Sequence, residues 1–548
     1  MRVMDVAAAA LQKEGVTFIT GFPFNQVFDS AALLGIRPIM ARTERVAVNI
    51  ADGFSRMSAG RAFGVTGVQY GPGAEASFGA IAQAFSDSVP ILVIPGGYDS
   101  NDAGVVPNFS SADQMRGIAK STMLVNHPHR AALMFSRAFG ALRSGRGGPV
   151  ILEIPDDLMK AEAPGGMDGY SSVRIGRTMA APDEIQTVIR ALADAKSPML
   201  MVGRGVLQAG AWADLRRFAE SMGVPVMTTL SGKSAFPEDH ALALGTGGHS
   251  STPMSDAHLA AADLIVSIGT TLTRSHYTSH VPAAKRVIQI MRDPDDLSQC
   301  YPVEHLISGD LDLILAQLAD AAEGESRHDN YATTPAARLV AAQKAEFMAK
   351  WGARLTTDAE PISPYRVIAA LMKVGDRAKM CVTHDSGNPR DQVVPFFDAL
   401  TPYGYLGWGK STPLGSGLGL AMGAKLAKPD WVCVNFMGDS SFGMVGMDVE
   451  TGVRENIPVL TIVFNNGKMG GYTRHHPVAT KTHGINLQTG RYADVALALG
   501  AAGERVEKVA DLEPALMRAI RSTQDGRSAL VEVITREEPE FPHIRSYG

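Results

Sequence analysis

The sequence predicts an α/β protein made of three doubly wound parallel-sheet domains. Three observations carry that reading. Short apolar runs alternate with stretches of helical periodicity along most of the chain, as expected of parallel sheets. Glycine is plentiful at 56 residues and clusters where those runs end, as tight strand-to-helix turns require. A polar, Gly-rich stretch over 163–182 and a charged, Ala-rich one over 323–361 divide the chain into blocks at 1–165, 183–322 and 362–548.

In the first block the expected strands are 17–20, 63–66, 91–94 and 150–154, with a strand-like 38–40 before a helix that opens at Glu44. Gly21-Phe22-Pro23, Gly71-Pro72-Gly73 and Pro95-Gly96-Gly97 fall at strand C-terminal ends, the edge where open α/β sheets bind ligands. The second block has expected strands at 199–202, 226–228, 264–268 and 287–290. Gly203-Arg204-Gly205 and Gly269-Thr270-Thr271 follow two of them, and a tight turn explains such glycines more simply than a nucleotide does. The stretch over 323–361 reads as a helical connector. The third block has expected strands at 431–437 and 459–464, and it resembles the first closely enough to be the same kind of unit used twice.

At 548 residues the chain has room for two to four domains, and its 45% hydrophobic and 20% charged content is that of a soluble globular protein. A net charge of −5 without a Lys/Arg run argues against a nucleic-acid partner. No apolar stretch approaches a membrane span. The start runs directly into a helical pattern, so no signal peptide is expected. Cys300, Cys381 and Cys433 show no paired or metal-ligand spacing, as in a cytoplasmic protein.

Two segments carry chemistry. In the first, Arg42-Thr43-Glu44-Arg45-Val46 opens a helix whose Val46, Ile50 and Phe54 recur at helical spacing. Glu44 therefore sits at the mouth of a helix with one buried face. In the second, Gly438-Asp439-Ser440-Ser441 follows a strand, and the next strand delivers Asn465-Asn466-Gly467-Lys468. A carboxylate, an amide oxygen and a backbone carbonyl suit one hard cation, with diphosphate oxygens completing its shell. The small residues after Asp439 let backbone N–H groups approach that diphosphate.

The second segment resembles the metal–diphosphate motif of thiamine-diphosphate enzymes, with Ser440 where Gly is usual. The first resembles the helix that carries their activating glutamate, in the form found in the acetolactate synthase-like group. The likeness extends over nearly the whole chain, through 148–155 and 233–240. It implies a pyrimidine-binding, a central and a diphosphate-binding domain, in that order. It implies thiamine diphosphate and Mg2+ as cofactors, with Asp439, Asn466 and the Lys468 carbonyl on the metal. Gly438, Ser440 and Ser441 would line the diphosphate, with Ser386, Gly387 and Asn388 opposite, and Leu414 would be the apolar wedge that keeps the cofactor bent. Glu44 would bind the aminopyrimidine and support its imino tautomer. The family places each site between two subunits, so a homodimer or homotetramer is expected.

Departures from the acetolactate synthase pattern cluster on the substrate side. They are Asn25, Gln69, Gly97, Tyr472 and His475, with Gly97 expected to open space and the last two to add polar groups by the acceptor. FAD or ADP in the central block stays open, because 269–274 matches the flavin pattern loosely. The resemblance implies a carboligase or 2-oxoacid decarboxylase working through an enamine on a small 2-oxoacid. The alternative is a C–C lyase acting on a 2-hydroxyacyl or hydroxyketone substrate.

Overall fold

A computed structural model describes residues 1–326, 328–538 and 540–542; the end of the third block, 543–548, lies outside the described residues. Three six-stranded sheets form, and every pairing within them is parallel. The first contains β1 (Phe18–Phe22), β2 (Arg37–Met40), β3 (Gly64–Val68), β4 (Ile91–Gly97), β5 (Ser121–Leu124) and β6 (Val150–Pro155). Its spatial order is β2-β1-β3-β4-β6-β5. The second contains β7 (Pro198–Val202), β8 (Val226–Thr229), β9 (Ala243–Gly247), β10 (Leu264–Ile268), β11 (Arg286–Met291) and β12 (His305–Ser308), ordered β12-β11-β10-β7-β8-β9. The third contains β13 (Met380–His384), β14 (Tyr405–Leu406), β15 (Val432–Gly438), β16 (Leu460–Asn465), β17 (Ala502–Val506) and β18 (Ala529–Ile534), ordered β14-β13-β15-β16-β18-β17.

Counted from its own first strand, the third sheet has the same order as the first. Both reverse direction between their first and third strands, so each has a crevice at those strands' C-terminal ends. The central sheet reverses between β7 and β10, the order of a dinucleotide-type fold. The connector contains the helix Pro335–Thr356, capped where the Thr334 hydroxyl accepts from the Ala337 N–H at 3.2 Å.

The first and third domains also touch within one chain. Helix Glu44–Met57 crosses helix Gly417–Ala427 at close range. A Cβ on Gly53 would come within 2.3 Å of the Leu420 carbonyl oxygen, and one on Gly423 within 2.2 Å of the Ile50 carbonyl oxygen. The glycines therefore set the crossing distance. Among the described residues no helix is long and apolar enough to cross a membrane.

Candidate cofactor site

Three strand ends and one loop of the third domain converge on a cavity of about 360 Å3. β13 delivers Ser386, Gly387 and Asn388; β15 delivers Gly438, Asp439, Ser440 and Ser441; the chain beyond β16 delivers Asn466 and Lys468. Leu414 comes from the loop before helix Gly417–Ala427, and all of these residues line the cavity. The β13–β15 pair is the switch point of this sheet, so topology alone puts a ligand crevice here.

Asp439 opens the helix Asp439–Val445 and ties it to the turn after β16. One oxygen accepts from the Ser440 N–H (2.9 Å), the other from the Gly467 N–H (3.0 Å). Asn466 Oδ1 accepts from the Lys468 N–H at 3.0 Å, tightening the same turn. Burial pushes the Asp439 carboxyl above its ordinary value, against the N–H groups of Ser440, Gly467 and Lys468. A nearby cation would relieve that cost. Among the described residues no three His, Cys, Asp or Glu converge on a metal position. One carboxylate with amide and carbonyl oxygens therefore suits a hard cation only if a ligand brings further anionic oxygens. The cavity leaves room for such a ligand. A Cβ on Gly387 would meet nothing within 4 Å, and one on Gly438 only Pro389 at 3.8 Å.

Glu44 is the first residue of its helix, and the Thr43 hydroxyl caps it by accepting from the Val46 N–H at 3.3 Å. The entry is fixed by the third domain of the same chain. Asp448 accepts from the Arg42 N–H (2.7 Å) and the Thr43 hydroxyl (3.1 Å), and Arg45 donates to the Leu414 carbonyl at 3.0 Å. The Glu44 carboxyl lies beside Gly73 and Gln69; a Cβ on Gly73 would sit 3.6 Å from Glu44 Oε1 and 3.0 Å from Gln69 Cβ. Burial raises the Glu44 carboxyl above its ordinary value, its own backbone N–H opposing. Glu44 does not line the cavity that holds Asp439.

The substrate-side residues divide. Tyr472 lines the cavity, whereas His475 is exposed and outside it. Asn25 has protein partners for its side-chain amide. Its amide is buried and donates to the Val68 (3.2 Å) and Ile94 (2.9 Å) carbonyls, while its oxygen accepts from the Val27 N–H (3.1 Å). It ties strand ends together, and both side-chain amide hydrogens are spent on backbone carbonyls. Gly97 corrects the expectation that it opens space beside the reaction centre. A Cβ there would meet Glu153 Oε1 at 2.8 Å, so the glycine makes room for a buried glutamate, not for substrate. Two residues that sequence reasoning passed over matter here. They are Asp385, buried behind the cavity, and Tyr277, which lines it from the central domain.

A second cavity lies at the β7–β10 switch point, lined by Arg146, Arg204, Thr270, Thr271, Tyr277 and Lys410 among others. The turn reading of its glycines matches their packing: Cβ atoms on Gly203 and Gly205 would meet Gly269 backbone at 2.3 and 2.7 Å. Lys410 donates to the Thr271 hydroxyl at 2.9 Å, and burial draws its ammonium down to about 8.

Comparison with known proteins agrees with this geometry. Profiles described as "Thiamine pyrophosphate enzyme" match residues 1–120 (N-terminal TPP binding domain), 185–318 (central domain) and 385–533 (C-terminal TPP binding domain). The chain is 30% identical over 502 residues to the probable acetolactate synthase large subunit of Methanocaldococcus jannaschii, covering 86% of this chain and 81% of that protein. It is 28% identical to glyoxylate carboligase of Escherichia coli O157:H7 (95% and 90% covered) and 27% identical to sulfoacetaldehyde acetyltransferase of Alcaligenes xylosoxydans xylosoxydans (96% and 91%). The chain belongs to the thiamine pyrophosphate enzyme family, in its acetolactate synthase-like group.

Proposed function

We propose that the protein is a Mg2+- and thiamine-diphosphate-dependent carboligase that decarboxylates a small 2-oxoacid and joins the remaining acyl unit to a second carbonyl compound. The observation that carries this reading is the convergence of Asp439, Asn466, Lys468 and Leu414 on one cavity at a sheet switch point. When bound, thiamine diphosphate supplies the carbon nucleophile and electron sink; the protein binds, orients and excludes water. Asp439, Asn466 and the Lys468 carbonyl would hold the metal and Ser440 and Ser441 the diphosphate, while Leu414 would give the cofactor an apolar support. Glu44 would hold a proton at the aminopyrimidine, a task suited to a carboxyl whose pKa burial has raised. Relatives named for carboligation and acetyl transfer support the same chemistry.

The test is product analysis with a panel of 2-oxoacids, each with and without an aldehyde or second oxoacid. Carbon–carbon-joined products are expected, with Tyr472→Phe lowering the preference for polar acceptors. Cleavage of hydroxyketones with no ligation would sink the reading and favour a lyase.

We take 1–165, 183–322 and 362–548 as the pyrimidine-binding, central and diphosphate-binding domains, a division supported by one sheet lying in each. The absence of Glu44 from the Asp439 cavity of its own chain supports a homodimer or homotetramer in which a second chain supplies it. The switch-point cavity suits the phosphates of FAD or ADP through Arg146 and Lys410, and Tyr277 is its aromatic lining. The purified protein is expected to release a nucleotide detected by mass spectrometry, with flavin absorbance separating FAD from ADP. A nucleotide-free protein that binds neither would remove this assignment.

A further inference from the structure

Asp385 follows β13 and is fully buried. One of its oxygens accepts from the Ser386 N–H (2.8 Å), the Gly415 N–H (2.9 Å) and the Ser441 hydroxyl (2.9 Å). The other accepts from the Gly417 N–H at 3.0 Å. These four neutral donors come from three walls of the cofactor cavity: the segment after β13, the loop carrying Leu414, and the helix Asp439–Val445. Ser386, Leu414 and Ser441 each line the cavity itself.

The peptide unit between Leu414 and Gly415 is held at both ends. Its carbonyl accepts from Arg45 at 3.0 Å and its N–H donates to Asp385. Gly415 adopts φ +85°, and a Cβ there would press within 2.8 Å of Val445. A left-handed turn gripped from two sides fixes the backbone from which the Leu414 side chain projects. The choice of residue is also specific. A carboxylate offers acceptors on both oxygens, whereas an amide would present N–H to the Gly417 N–H. Burying a carboxylate among neutral donors is costly unless all of them are aimed at it.

We propose that Asp385 is the positioning residue of this site, locking the Leu414 wedge and the Ser441 wall in the register that holds the cofactor in its bent, reactive shape. This rests on the cofactor reading of the cavity. Asp385 itself lies behind the cavity wall and does not line it.

The test uses the full-length protein and Asp385→Asn, a change of charge and donor pattern at nearly constant size. Two quantities are measured: thiamine diphosphate affinity with Mg2+ by calorimetry, and hydrogen–deuterium exchange at the thiazolium carbon at saturating cofactor. A merely structural residue would lower the unfolding temperature and leave exchange per bound cofactor unchanged. The positioning role predicts exchange slowed by about 10- to 100-fold at saturation, the equivalent of one or two charge-assisted hydrogen bonds. Arg45 grips the same peptide from its other end, and Arg45→Met, which releases it, is the second variant should Asp385→Asn fail to fold. It is expected to slow exchange as well, and in combination with Asp385→Asn to fall short of the product of the two effects. Wild-type exchange in saturated Asp385→Asn, or in Arg45→Met where the first does not fold, overturns the proposal. Wild-type protein that binds no thiamine diphosphate overturns the cofactor reading, and this one with it.

Discussion

Glu44→Gln is expected to bind thiamine diphosphate and lose about 10²- to 10⁴-fold in turnover, the usual contribution of a positioned proton-transfer group. The side chain keeps its size and hydrogen-bonding reach but can no longer hold or release a proton at the aminopyrimidine. Exchange at the thiazolium carbon should slow in parallel, and fast exchange in the variant would remove Glu44 from the mechanism. The same variant has a stability signature. Burial raises the folded carboxyl above its ordinary 4.5, so the folded state holds the proton more tightly than the unfolded chain does. In the window just above that value, stability falls as pH rises, and the ionised carboxyl is a burden at neutral pH. The apoprotein with Glu44→Gln should therefore melt higher than wild type at neutral pH. The difference should shrink as pH falls to the ordinary carboxyl range. A variant that melts lower than wild type at neutral pH would show that Glu44 is held by contacts that favour its charge.

Asp439→Ala is expected to abolish measurable binding of thiamine diphosphate in the presence of Mg2+. Loss of residues that merely orient metal ligands costs about 10- to 100-fold in metal affinity, so removing the sole carboxylate of this donor set should cost more. The variant also removes one of the two acceptors of the Gly467 N–H, leaving Asn465 Oδ1 at 3.1 Å, and so weakens the tie between the Asp439 helix and the turn carrying Asn466. Calorimetry with thiamine diphosphate and Mg2+ checks it, and unchanged affinity would take the metal away from Asp439.

Much of this site was legible in the sequence because its chemistry demands particular residue types beside small neighbours. Asp439, Asn466 and Glu44 stand out for that reason, and the repeated α/β unit followed from runs such as 91–94 and 459–464. Edge strands were harder to see. β5, β12 and β17 are half-exposed and mix polar with apolar residues, so they lack the continuous apolar run that marks a buried strand. The substrate side was harder still, because a residue's position in the chain does not say where its polar atoms are spent. Asn25 is consumed by the Val68 and Ile94 carbonyls, and Gly97 faces Glu153. Asp385 gave no signal at all, since its donors at Gly415, Gly417 and Ser441 meet it only once three segments have folded together.

In the proposed assembly two chains share each active site, with Glu44 from one and the Asp439 donor set from the other. Coexpression of Glu44→Gln and Asp439→Ala chains tests it most directly. Random pairing makes half of the dimers mixed, and each mixed dimer has one intact site, so the mixture should recover roughly a quarter of wild-type activity. Activity no higher than that of the separate variants would contradict the shared site and put both residues to work within a single chain.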